Sequence, residues 1–187
     1  MPRRLARTLL AVVSAIAVTA TISSAQEAGP AALPHVRAAT ADAAELLDEL
    51  IARSPTARDL IEQLDQSDLL IYVRYQLFST TTMTGRIGFL ESSRPRRLAV
   101  IEVAYRNTRT DQLAALGHEL QHAVEIAGAP LVRDAPSLAA FYAAIGDSTG
   151  HAGRSETFET AAAAATGRRI RNELVLAGPV VAADDRN

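Results

Sequence analysis

The sequence predicts an α+β fold, and three observations carry that expectation. Apolar residues recur at helical spacing in two segments between residues 40 and 66. They alternate at strand spacing in three short segments between 69 and 105, and helical spacing returns from 111 onward. Helices, then a small sheet, then helices again is the order of a fold whose helices and strands segregate along the chain. A length of 187 residues is enough for one domain with a sizeable core.

The first residues are set apart from that domain. MPRRLAR is basic, LLAVVSAIAVTA is an apolar run short for a bilayer span, and TISSAQ offers small residues at Ser23 and Ala25. This is the pattern of a signal peptide over residues 1–25, with Ala20 as an alternative cleavage point, and it predicts export to a periplasm or to the medium. Residues 26–39 read as a flexible lead-in with two prolines, in which His35 is a solvated loop residue. Residues 40–187 then form a single domain, without repeats and without a further apolar stretch long enough to span a membrane.

Within the domain, Leu46, Leu47, Leu50 and Ile51 mark a first helix with Thr40 as N-cap, and Ser54-Pro55 ends it and starts a second carrying Leu60, Ile61 and Leu64. LLIYVRYQL alternates as a half-buried strand, RIGFLE is a second and LAVIEVAY a third. The turns between them are short, which favours a small, mostly antiparallel sheet. Asn107–Thr110 offers caps for a helix from Asp111 to Ala127, closed by Gly128-Ala129-Pro130. SLAAFYAAIG is a short helix and DSTGHAGR a loop. SETFETAAAAATGRRIRNELVLAG reads as one long final helix.

Composition excludes several chemistries. With no cysteine there are no disulfides, no thiolate ligands and no cysteine nucleophile. Every basic residue is an arginine; of the 19, three leave with the signal, so 16 remain against 21 acidic residues, a net −5. That balance and the 4% of aromatics argue against a nucleic-acid surface. Arg154, Arg168, Arg169 and Arg171 form a cluster that suits a solvated face near a helix C-terminus.

The chemistry concentrates in GHELQHAVEIAG, residues 117–128. At a hundred degrees per residue, His118, His122 and Glu125 share one sector, and Leu113, Leu116, Leu120, Ala123 and Ala127 gather on the opposite side. Imidazoles at i and i+4 can hold one Zn²⁺. A glutamate directly after the first stands where it can take a proton from a water that then attacks a polarised carbonyl. His118 and His122 are therefore candidate ligands and Glu119 the candidate general base. Glu125, one turn beyond His122, reads as a carboxylate behind the histidine or at the surface.

HELQH is the H-E-x-x-H pattern, and residues 69–174 around it resemble the zincin metallopeptidases. The resemblance implies a zincin-like α+β domain in which a mixed sheet precedes the histidine helix and an edge strand, here taken as LAVIEVAY, holds an extended peptide. It implies a peptide or protein substrate and Zn²⁺ as cofactor. The metzincin branch would require glycine and histidine where this chain has Glu125 and Gly128, so that pattern is absent. The gluzincin-like branch takes its third ligand from a glutamate on a later helix, often followed by alanines. Glu159 matches that position, with Glu156 and His151 as alternatives. His151, Tyr105 and Tyr142 are also candidates for stabilising an oxyanion. Two functions follow: a zinc peptidase, or a catalytically inactive binding protein of the cell envelope on the same scaffold.

Overall fold

The computed structural model describes residues 33–178 except Arg94, Gly153 and Arg154, with backbone alone for 89–93, 148–152 and 155–157. The expected signal peptide and residues 26–32 of the expected lead-in lie outside the described residues. Strand β1 (Val36–Ala38) is followed by helices α1 (Ala41–Arg53) and α2 (Pro55–Asp65), and strands β2 (Leu69–Gln76), β3 (Gly85–Ser93) and β4 (Arg96–Ala104) come next. Helix α3 (Arg109–Ala127) carries the histidines; α4 (Ala135–Ile145), a ribbon of β5 (Asp147–Ala152) and β6 (Ser155–Glu159), and α5 (Ala161–Ala177) complete the order. No described helix is long and apolar enough to cross a membrane.

The fold is mixed α+β, but its sheet is not mostly antiparallel. Strand order is β1-β2-β4-β3, with β1–β2 and β2–β4 parallel and only β3–β4 antiparallel. The tight turn after Ser93 makes the expected hairpin. The longer segment 77–84 instead carries the chain past β4, so β2 lies on the far side of β4 from β3. LAVIEVAY is thereby central, and β3 is the edge strand next to it. Two further expectations are corrected. The lead-in contains β1, and His35 is tethered rather than solvated: its amide donates to Asp65 Oδ1 at 2.7 Å and its ring Nδ1 lies 3.0 Å from the Leu64 carbonyl. DSTGHA and SETFE pair as a ribbon instead of forming a loop and the first turns of a helix.

Capping explains several of the boundaries. Ser54 accepts from Ala57 N, Thr108 from Asp111 N, and Thr160 from Ala163 N, each satisfying a donor that the first helical turn leaves unpaired. Asp134 and Ser137 form a reciprocal capping box on α4. Thr40 stands at the N-cap of α1 without capping through its side chain; its hydroxyl turns to Asp42. Because Thr160 is extended at φ −110° and ψ 148°, helix cannot continue N-terminally through it, and the residues before it are free to pair as β6.

Helix α3 lies between the sheet and α5. Leu113, Leu116, Leu120 and Ala123 join Ile71, Val73, Ala99, Ile101 and Val103 in one apolar core with Leu46, Leu50 and Leu64 of the first two helices. The opposite face of α3 is covered too, since α5 crosses it closely. A Cβ on Gly117 would stand 2.1 Å from Ile170 Cδ1, and one on Gly167 would stand 3.3 Å from His118 Cβ. These two glycines let the backbones approach where larger residues would hold them apart. Gly117→Ala is expected to cost about 1–3 kcal/mol, the usual range for overpacking a filled core, read as a lowered urea midpoint. An unchanged midpoint would mean that the contact relaxes freely.

Candidate metal centre

Both histidines turn their Nε2 atoms toward the same carboxylate. His118 Nε2 lies 3.5 Å and His122 Nε2 4.0 Å from Glu159 Oε1. One ligand atom from each of His118, His122 and Glu159 falls within 4.8 Å of the others. Donors about 2.0–2.1 Å from a tetrahedral zinc stand roughly 3.3 Å apart, so a small contraction would close these three on one ion. His118 and His122 come from successive turns of α3, their ring centroids 4.9 Å apart.

Glu159 arrives by a different route from the one the sequence suggests. It is the last residue of β6 rather than a member of α5, and its Oε1 accepts from the backbone N–H of Thr160 at 3.0 Å. The long final helix expected over this segment begins only at Ala161, burying Ala163 and Ile170, so Glu159 lies ahead of it. Glu156 pairs with His151 across the ribbon. The side chains of both lie outside the described residues, as does Arg154.

Behind His122 stand polar groups that face inward. His122 is 4% exposed, and its Nδ1 donates to Glu125 Oε2 at 2.9 Å. Glu125 Oε1 accepts from Thr160 Oγ1 at 2.7 Å. Glu125 is therefore a carboxylate behind the histidine and not a surface group. A donation from Nδ1 to a carboxylate leaves the Nε2 lone pair free, the tautomer a metal requires. Tyr142 donates its buried hydroxyl to the His122 carbonyl at 3.0 Å, and burial pushes its ionisation far up. Tyr142 is thus a support of the helix. Tyr105 is 60% exposed, stacked edge-on to Tyr75 near the start of α3, before the turns that carry the histidines. Neither tyrosine is placed as an oxyanion donor.

Glu119 is 5% exposed and lies beneath the start of β3. A Cβ on Gly85 would stand 3.0 Å from Glu119 Oε1, and the Ile87 amide favours its charged form. Burial dominates and pushes the carboxyl up to about 7. Burial, with His122 alongside, lowers His118 to about 4, which keeps that imidazole neutral and its lone pair available. For His122 burial opposes the charged form, but the hydrogen bond to Glu125 and the carboxylates of Glu119 and Glu159 outweigh it and move the group upward. Burial also raises Glu159. Three carboxylates converging on two imidazoles carry an excess of negative charge that a cation would offset, and two nitrogens with one carboxylate oxygen is a donor set that zinc accepts.

On α5, Arg168, Arg169 and Arg171 are exposed, Arg171 pairs with Asp111 at 2.6 Å, and the charge of Arg168 favours the ionised form of Glu159. Set beside known proteins, the chain matches no family model, no curated protein and no solved structure.

Proposed function

We propose that the domain is an exported zinc-dependent peptidase on a zincin-like plan, with His118, His122 and Glu159 as ligands and Glu119 as general base. The observation that carries this reading is the convergence of the two Nε2 atoms on the Glu159 carboxylate, with Glu119 buried one residue from the first of them. Zinc, when bound, supplies Lewis acidity for the scissile carbonyl and lowers the pKa of a water toward neutrality. Glu119 accepts the proton of the attacking water and returns it to the amide nitrogen as the C–N bond breaks. Glu125 holds His122 in the tautomer that leaves Nε2 free. The edge strand β3, whose first residues cover Glu119, is the one whose free backbone would align an extended peptide, in the role the sequence resemblance gave to β4.

Metal analysis of the purified domain tests the reading. Wild type and Glu156→Ala are expected to hold about one zinc per chain at a three-protein-ligand site, and Glu159→Ala to lose it on dialysis. A wild type without zinc sinks the proposal, and loss in Glu156→Ala alone moves the third ligand.

A further inference from the structure

Thr160 joins three elements around the site: α3 through Glu125, β6 through Glu159 and α5 through Ala163. Its hydroxyl oxygen accepts from Ala163 N at 3.1 Å, capping α5, and its hydroxyl hydrogen goes to Glu125 Oε1 at 2.7 Å. Its backbone N–H goes to Glu159 Oε1 at 3.0 Å. A hydroxyl offers one donor and two acceptor positions, so the cap and the Glu125 contact are made together, without competition. Thr160 is 5% exposed, and water is poorly placed to stand in for either partner.

A helix cap alone would leave the donor direction unspecified. Here it meets a carboxylate whose other oxygen holds His122 Nδ1. The chain Thr160 Oγ1–Glu125–His122 thus runs from the first turn of α5 to a ligand on α3, and the same residue's amide reaches the ligand on β6. We propose that Thr160 is a positioning residue of the metal centre, which makes the N-terminus of α5 part of the zinc site. The proposal rests on the zinc-site reading above. It adds that metal affinity depends on a hydroxyl that never contacts the metal. Partners of this kind usually change metal affinity by 10–100-fold when removed.

The test measures zinc affinity by competition with a chromophoric chelator, alongside thermal unfolding of the metal-free protein. Thr160→Ser keeps donor, acceptor and amide, and is expected to bind zinc as wild type does. Thr160→Val deletes the hydroxyl but keeps the amide to Glu159, and a 10–100-fold loss of affinity is expected. Thr160→Gly is the second deletion. Glycine is tolerated at an N-cap almost as well as threonine, so α5 persists and the same loss of affinity is expected even where the valine variant fails to fold. In a Glu125→Ala background the hydroxyl has no carboxylate to act through, and Thr160→Gly should add less than about twofold, since the two changes act on one contact. If Thr160→Gly binds zinc within twofold of wild type, Thr160 is a cap only and the proposal is overturned while the zinc site stands. If its effect persists undiminished without Glu125, the route through His122 is wrong. If wild type binds no zinc, the zinc-site reading fails first and this proposal with it.

Discussion

Replacing Arg97 with methionine is expected to destabilise the domain by about 3–5 kcal/mol, the range for removing one partner of a buried charged network. Arg97 is fully buried and spends its donors on two regions. Its Nε donates to Asp68 at 3.0 Å, and its Nη atoms reach the carbonyls of Ile126, Ala127, Ala129 and Val132 between 2.9 and 3.1 Å. Those carbonyls end α3 and shape the segment after it, where a helix leaves its last acceptors unpaired. The guanidinium is thus the C-terminal cap of the histidine helix, delivered from β4. Methionine fills similar volume but leaves four carbonyls and Asp68 without it. Lysine keeps the charge, yet three rotating donors cannot replace a planar fork of five, so Arg97→Lys should fall between. Against a total stability of order 5–15 kcal/mol, the methionine variant should show a strongly lowered urea midpoint. A loss below about 1 kcal/mol would show that water replaces the guanidinium. The same pair sets an acid limit. The Arg97 hydrogen bonds hold the Asp68 carboxyl below its ordinary value, so its contribution is present above the ordinary aspartate range and is lost as pH falls through the lower folded value. The Arg97→Met protein should lack this acid-dependent component.

Arg97 also shows where sequence reading stops. It occupies an inward position of β4, in phase with Ala99, Ile101 and Val103, all fully buried. A lone arginine on an apolar phase is a signal, but its partners come from the end of α3 and from Asp68, and no local spacing names them. The first two helices and α3 were legible because each begins at a side chain that can cap and buries leucines at helical spacing. The sheet was legible as strands and not as an order. A short turn specifies the β3–β4 hairpin, whereas the parallel β2–β4 pair depends on a non-local choice that segment 77–84 permits without dictating.

The site divides the same way. His118, Glu119 and His122 follow from one helix, so their spacing carries their geometry. Glu159 does stand beside the two histidines, but from a strand end and not from the helical position its sequence suggests. The alanine run after it suggested a helical position, but the threonine between them caps the helix, which puts the carboxylate at a strand end. Thr160 itself was missed, although a threonine three residues before a buried alanine, at the head of an alanine run, is an N-cap signal. That Glu125 stands behind His122 was half visible, since a residue three positions on shares the helix face. What turned it inward was Thr160, thirty-five residues later.

Glu119→Gln should keep zinc at the wild-type level and lower peptide hydrolysis by about 10²–10⁴-fold, the usual contribution of a positioned general base. Glutamine preserves the size of the side chain beside Gly85, and the amide can still accept from the direction of Ile87, so the packing under β3 is conserved. What it loses is the ability to take a proton. Burial that pushes the carboxyl up to about 7 makes the native group a stronger base than a solvated glutamate, and a base matched to neutral pH transfers protons most effectively there. Glutamine also removes a charge from a crowd of three carboxylates, so loss of activity cannot be assigned to added repulsion among them. The measurement is zinc content and turnover of a broad peptide library on the same preparations. Retained zinc with lost turnover, and KM little changed, identifies an interaction made chiefly in the transition state. Equal turnover in both proteins would remove Glu119 from the chemistry. If both hold zinc and neither cleaves any member of the library, the enzyme reading gives way to a zinc-bearing binding protein, with the buried carboxylate serving the packing of β3 on α3.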